Sequence, residues 1–387
     1  MQLALITHRF VRGDGQGRVN YEVARAALDA GHVVWLVASE VAADLARHPR
    51  ARVVRLPVSG WPTELLRNQV FALRSAWWLL RHRRQLDLVH VNGCITLGRA
   101  DVNAAHFVHS AWLRSPHHTS RVRRDAYGLY QYLYTRLNAW LERRAYRRAT
   151  RVVAVSEQVR RELRSIGVAG ERLRVIANGV DIEEFRPAAP ARGELGLPPG
   201  LLLLFVGDIK TPRKNLDTLL RALLEVPEAQ LAVVGRTEGS PYPEMARTLG
   251  VDARVRFLGY RRDVARLMQA ADVFVFPSRY EACSLVLLEA VASGLPVIAA
   301  RTTGGTELLT SDCSVLIDDP GSAAQLAAAI RRIGASPVQL EAMRRAARAL
   351  AEAHTWSAMA AAYLKLYAEI ATQRSGTTLP TACATPR

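Results

Sequence analysis

The amino-acid sequence predicts an α/β fold built from two doubly wound, parallel-sheet domains in tandem. Three observations carry this reading. Short apolar strands alternate with helical stretches through the first half of the 387 residues. A cluster of Pro and Gly breaks the pattern at 186–200. The same alternation then starts afresh. Length agrees, because a chain of this size suits two cores of roughly 150–200 residues each.

Leu3–Thr7 reads as the first strand, and its lack of a basic leading segment argues against a signal peptide. A loop, Gly13-Asp14-Gly15-Gln16-Gly17, leads to a helix over Asn20–Ala30 that Gly31 stops. Strands follow at Val33–Ala38 and Arg52–Leu56, then a helix over Leu65–Arg83 and a strand over Leu86–Val91. Ala104–Val108, Arg151–Ser156 and Leu173–Ala177 complete the first set of strands. After the break come Leu201–Val206, a helix over Leu216–Glu225, and strands at Leu231–Gly235, Val255–Leu258, Val273–Pro277, Pro296–Ala300 and Ser314–Ile317. A last helix spans Ala358–Ala371, and the polar tail beyond Thr372 reads as disordered. The domains are placed at 1–185, joined by a returning helix at 356–372, and at 186–355, with a tail at 373–387. Ligands of open α/β sheets bind at the carboxyl ends of strands, so the natural site is the cleft between the two units.

Composition narrows the function. With 49% hydrophobic and 22% charged residues the chain is a folded protein, and no stretch approaches the roughly 20 apolar residues of a membrane span. The cysteines Cys94, Cys283, Cys313 and Cys383 are far apart, with no CxxC pair, so neither a zinc knuckle nor a disulfide framework is indicated and a cytoplasmic location fits. The net charge of +17 points to an anionic partner, or else to an Arg-rich solvated surface. Arg and aromatic residues interleave from Trp112 to Arg151, and again over Trp77–Arg84. This suits an anionic membrane surface or a lipid-linked phosphate. Helices with an apolar core face and a basic outer face fit equally well.

The segment from Pro277 to Pro296 carries the chemistry. Ser284 is a helix N-cap candidate and Gly294 the stop. The free N–H groups and dipole of that first turn suit a diphosphate. Glu289 stands inside the otherwise apolar run Leu285–Ala292, where an unpaired carboxylate is costly and needs a partner. Glu281 precedes it by eight residues.

This segment resembles the E-x7-E signature of the retaining glycosyltransferases of family 4, which have the GT-B fold. Ala292-Ser293-Gly294-Leu295-Pro296-Val297, Gly304-Gly305-Thr306-Glu307, Asn178-Gly179-Val180-Asp181 and Ala154-Val155-Ser156-Glu157 resemble the family in order and spacing. So do Val206-Gly207, Val234-Gly235 and Phe257-Leu258-Gly259, the last followed by Tyr260. The resemblance covers nearly the whole chain. It implies two Rossmann-like domains facing across a cleft, with the C-terminal helix packing back on the N-terminal domain. It implies a sugar passed, with retention and without a metal or other cofactor, from a UDP- or GDP-sugar to a glycan or lipid-linked acceptor. Cell-surface polysaccharide or glycoconjugate synthesis is the implied setting, with the protein in the cytoplasm or at the inner face of the membrane.

By the same resemblance, Glu289 binds the ribose and Glu281 lies by the donor sugar. Backbone N–H groups of Cys283, Ser284 and Leu285 meet the sugar or diphosphate. Lys214 matches the phosphate-binding lysine. The family's arginine position holds Asp208 here, and Arg213 or Lys210 could supply that cation. Gly15 keeps the register of the family's glycine loop, with Gly17 nearby, and Gly207, Gly235 and Tyr260 complete the donor set. His109 resembles the histidine near the transferred sugar, while His106 reads as structural.

Other readings are weaker. A nucleotide-sugar epimerase or glycan phosphorylase would share the fold, but neither signature is found. A basic nucleic-acid-binding protein would need a reading module beyond charge, and none is evident. A dehydrogenase would show G-x-G-x-x-G after the first strand.

Overall fold

A computed structural model describes residues 1–13, 15–189 and 191–376. Its two large sheets are parallel, and Arg9–Phe10 pairs with Glu40–Val41 as a small parallel third. The first has seven strands, ordered in space Ala51–Arg55, Val33–Ala38, Gln2–Ile6, Leu88–Asn92, Val102–Ala105, Arg151–Ala154 and Leu173–Val175. The second has six, ordered Val255–Phe257, Ala229–Val234, Leu201–Val206, Val273–Phe276, Val297–Ala300 and Ser314–Ile317. In both sheets the first strand of the unit lies inside, and the chain winds outward to one side and then to the other. The direction reverses beside Gln2–Ile6 in the first sheet and beside Leu201–Val206 in the second. Crevices open at such reversals, at the strands' carboxyl ends.

Burial explains why these segments are strands. Leu202 to Phe205 and Val273 to Phe276 are almost wholly buried, as a parallel sheet covered on both faces requires. Helices supply the cover. Gly15–Asp29 and Glu64–His82 serve the first sheet, and Leu216–Ala222, Leu285–Ala292 and Ala323–Gly334 the second.

The chain crosses between domains twice. Outbound, it runs from Val175 through Asn178 and Gly179 toward Leu201. It returns at His354–Trp356, where Val180 and Thr355 form a parallel bridge and Val180 N–H donates to His354 O at 2.9 Å. The crossings touch so closely that a Cβ on Gly179 would lie 2.5 Å from the Trp356 backbone. The returning helix, Trp356–Ser375, then buries Tyr363, Tyr367 and Ile370 in the first domain's core. The Tyr367 hydroxyl meets His90 Nδ1 at 2.6 Å.

Several boundaries differ from the sequence expectation. The first helix begins at Gly15 rather than Asn20, so Gly15 and Gly17 occupy its first turn and not a loop. The fifth strand of the first domain ends at Ala105, and His106 to Val108 lie beyond it. The final helix continues through Ser375, so residues 373–375 are helical and not a disordered tail. The rest of that tail, 377–387, lies outside the described residues, as do Asp14 of the glycine loop and Pro190 of the linker. Among the described residues no helix is long and apolar enough to cross a membrane.

Candidate functional site

Leu285–Ala292 is a helix that starts directly after the second sheet's reversal point, with its first turn toward the first domain. Gly294, at φ 76°, ends it. Ser284 is the N-cap by position, but its side chain makes no capping bond. Its N–H donates instead to Gly304 O at 3.2 Å, and Gly304 N–H donates to Glu281 O at 2.8 Å. The expected Ser284 N–H contact to a ligand is therefore replaced by one within the protein. Leu285 N–H remains in the first turn, where helix geometry supplies no acceptor. The contact with Gly304 is tight, since a Cβ there would stand 1.9 Å from Ala282 O. Gly304→Ala is expected to displace the Glu281–Ser284 segment and to cost about 2 kcal/mol or more of stability, read by denaturant unfolding. Wild-type stability and activity in that variant would count against the packing argument.

Glu289 projects from this helix into an interdomain cavity of about 350 Å³, shared with Gly15, Arg18, Gly179, Leu285 and Trp356. Among the described residues no side chain bonds its carboxylate. Burial raises its pKa to about 7; Glu184 adds to the rise and Arg18 opposes it. Arg18 is itself held by Glu22 at 2.6 Å and Asp181 at 3.1 Å. A Cβ on Gly15 would lie 3.5 Å from Leu285 Cδ1, so Gly15 is brought against the helix that carries Glu289. Gly17 is buried and faces the first domain's interior.

Glu281 forms the second group. Its Oε2 accepts from Lys214 Nζ and from Arg213 Nη1, the latter at 3.1 Å. Lys214 is packed beside Gly207, with its ammonium 4.7 Å from the Phe276 ring centroid. Burial lowers its pKa, and the Glu281 charge partly restores it. The turn that carries both cations is fixed by Asn215, whose positive φ of 65° lets Nδ2 reach Pro277 O at 2.7 Å. Among the described residues Asp208, in the expected arginine position, accepts only its own loop's Lys210 N–H, at 3.0 Å. Lys210 is exposed, and among the described residues no ion pair joins it to Glu281, whereas Arg213 is paired with Glu281. Gly235 is required by packing, because a Cβ there would lie 2.4 Å from Gly207 O. Tyr260, next to Gly259, is exposed, with the Arg236 guanidinium 5.5 Å from its ring centroid.

The first domain contributes a separate polar cavity of about 290 Å³, which contains His8, Asn68, His106, His109, Tyr134 and Glu142. His109 does not end a strand, as the sequence suggested; it opens the short helix His109–Arg114. Glu142 holds that helix start, accepting from His109 N–H at 2.8 Å and Ser110 N–H at 2.7 Å. Burial pushes Glu142 up to about 7 against the pull of these N–H groups. Burial also lowers His106 and His109 to about 4, so both rings are neutral at pH 7. His106, read as structural, thus faces the same cavity as His109.

Glu142 and Tyr280 were not singled out from sequence. Glu142 carried one signal, as the lone acid of the Arg-rich helix Ala126–Arg148. Tyr280 packs on Trp112 at 5.1 Å and on Phe107 at 5.9 Å, joining the domains beside Glu281. Its hydroxyl donates to Glu162 at 3.3 Å. Ser156 Oγ to Ala282 O at 2.6 Å and Glu157 N–H to Glu307 at 2.5 Å close the same edge. Asn178, at the first crossing between the domains, donates to Cys283 Sγ at 3.3 Å, and burial pushes that thiol up to about 12.

Comparison with known proteins bears on this geometry. Residues 13–184 match the family described as Glycosyltransferase Family 4, and residues 200–336 match Glycosyl transferases group 1. A D-inositol 3-phosphate glycosyltransferase of Saccharomonospora viridis is 33% identical over 239 residues, 57% of this chain and 55% of that one. One from Streptomyces bingchenggensis is 37% identical over 243 residues, 57% and 53%. The chain thus spans about half the length of the curated relatives it matches. Among solved structures, sucrose-phosphate synthase from Thermosynechococcus elongatus superposes with a TM-score of 0.78 at 24% identity, over 95% of this chain and 98% of that one. WaaG, a glycosyltransferase involved in lipopolysaccharide biosynthesis, gives 0.72 at 21% identity over 94% and 99%. Anabaena Alr3699/HepE in complex with UDP-glucose gives 0.68 at 22% over 97% and 100%. These likenesses show the fold. Taken with the two tandem family matches, they show that the chain belongs to the family 4, or group 1, glycosyltransferases and has the GT-B fold.

Proposed function

We propose that the protein transfers a sugar from a nucleoside-diphosphate sugar to a hydroxylated acceptor, with retention at the anomeric carbon. The observation that carries this reading is Glu289, an unpaired carboxylate facing the interdomain cavity. A pair of vicinal ribose hydroxyls would satisfy it. The diphosphate would run past the Leu285 turn toward Lys214 and Arg213. These cations would neutralise charge on the departing nucleoside diphosphate. In a same-face attack, the bond from C1 to the phosphate oxygen breaks as the acceptor oxygen bonds C1, and the leaving phosphate takes the acceptor proton. A stable glycosyl adduct on Glu281 would rule out this route.

The cavity beside His109 is the acceptor side of this reading. Among the described residues no Lys or Arg lines it, two of its histidines are neutral, and Glu64 and Glu142 are acidic. This favours an uncharged hydroxyl-bearing group over the phosphorylated inositol in the relatives' names. A thermal-shift series with UDP, GDP and their sugars tests the donor side, because binding raises the melting temperature by mass action. At a ligand concentration about 100 times Kd the gain is about 2.7 kcal/mol. Silence toward every nucleotide would sink the proposal. Transfer assays with inositol and inositol 3-phosphate as paired acceptors then test the acceptor side.

A further inference from the structure

Two cavities meet in the first domain. The one beside His109, of about 290 Å³, shares His8, Gln16, Glu64 and Asn68 with a larger one of about 750 Å³. The larger one opens between the start of the helix Glu64–His82 and the loops that follow the strands Gln2–Ile6, Val33–Ala38 and Ala51–Arg55. Those loops leave the carboxyl ends of the sheet, where ligands of such folds bind. Ligand sites commonly run to about 300–1,000 Å³. The His109 cavity alone is at the small end of that range, and its continuation makes room for a longer molecule.

The chemistry of the larger cavity narrows what that molecule is. Its charged side chains balance: Arg9 pairs with Glu40 at 3.4 Å, and Arg67 with Glu64 at 3.3 Å. Burial lowers the His8 pKa below its usual value, so that ring stays mostly neutral at pH 7. Among the described residues the only apolar side chains in its wall are Pro57 and Val58. A phosphorylated ligand calls for cations without partners, and an alkyl chain for a continuous apolar wall.

Hydrogen-bonding capacity, by contrast, is left over. Ser39 Oγ, in the larger cavity's wall, is buried and has no partner among the described residues. Asn92 Oδ1 and His106 Nε2, in the smaller one's wall, are buried and unpartnered too. Buried polar atoms need a partner. The two ion pairs also leave guanidinium N–H groups and carboxylate lone pairs to spare. A neutral ligand with hydroxyls along its whole length meets these demands in both cavities.

We propose that the acceptor is a neutral glycan of at least two rings. Its terminal ring enters the His109 cavity, and the next ring lies among Ser39, Glu40, Ser59 and Arg67. The proposal rests on the transfer reading for which ring reacts, and adds that chain length is recognised in a cavity away from the reacting groups. A monosaccharide or a free inositol fills the smaller cavity and leaves Ser39 unmet.

An array of neutral mono-, di- and trisaccharides, matched in their terminal residue and carrying an octyl monoglycoside and sugar phosphates for contrast, tests this on the full chain. Disaccharides are expected to bind at least about tenfold more tightly than the matched monosaccharide, the worth of one or two added hydrogen bonds. Ser59 is exposed at the rim, so Ser59→Trp should fill the larger cavity without disturbing the fold and bring the disaccharide to within about twofold of the monosaccharide. Ser39→Ala should weaken the disaccharide about fivefold and the monosaccharide hardly at all. Both variants should keep the nucleotide-induced rise in melting temperature, which reports on the donor side. Loss of that rise in the wild-type protein speaks against the transferase reading, whereas the array reads this cavity directly. Binding indifferent to chain length, no glycan bound, or a length preference untouched by Ser59→Trp overturns the proposal. So does a preference for the sugar phosphates, or for the octyl glycoside, whose chain would follow the apolar groove at Leu97 and Trp140 instead.

Discussion

Changing Glu289 to alanine is expected to abolish the rise in melting temperature that a nucleoside diphosphate produces, while Glu289→Gln stabilises the free protein above pH 7. Both effects follow from one unpaired carboxylate. Burial raises its pKa from the usual 4.5 to about 7. Between those values the folded protein holds a proton that the unfolded chain has released. Stability therefore falls as pH climbs from about 4.5 to about 7, and the loss persists above that. Glutamine has the same shape and no charge, so its advantage should grow across this window and then level off. An advantage of about 1–3 kcal/mol is expected at pH 8, near zero at pH 4.5. Melting curves of the two proteins from pH 4.5 to pH 8.5 provide the check. A difference that does not change with pH would mean that Glu289 finds a partner within the protein. A nucleotide response surviving in Glu289→Ala would remove the ribose role.

Lys214→Met is expected to lower kcat by about 10²–10³-fold, the usual cost of losing one preorganised group at developing charge. Methionine keeps much of the stem that packs beside Gly207 and Phe276. It removes the ammonium and leaves Arg213, among the described residues, as the sole cation on Glu281. Wild-type activity should also fall on the alkaline side earlier than for an exposed lysine, because burial lowers the Lys214 pKa. Steady-state turnover at saturating donor separates this from a binding defect, which would raise KM instead. Turnover within a few-fold of wild type would assign leaving-group stabilisation to Arg213 or the helix turn.

The parts of the fold written locally were legible. Leu201–Val206 and Val273–Phe276 are apolar at every position and bounded by turn residues, so strand and parallel sheet follow from the sequence. The acids Glu281 and Glu289 stood out because one sits in an apolar helix and both belong to a recognisable segment. What was not legible depends on residues far apart in sequence. Lys214 and Glu281 meet across 67 positions, and Arg18 meets Asp181 across 163. His109 lies at a helix start because Glu142, 33 residues later, accepts its N–H. The first helix begins at Gly15 although glycine is a poor helix former. Close contact with Leu285 across the cleft outweighs propensity there, and contact of that kind leaves no periodic mark.

The paired crossings at Val180 and Thr355 act as a two-strand pivot. Gly179 and Trp356, at that pivot, share Glu289's cavity, while Tyr280, Ser156 and Glu157 fasten the domains near Glu281. Rotation of one domain about this pivot must break the Tyr280, Ser156 and Glu157 contacts before the cleft can widen.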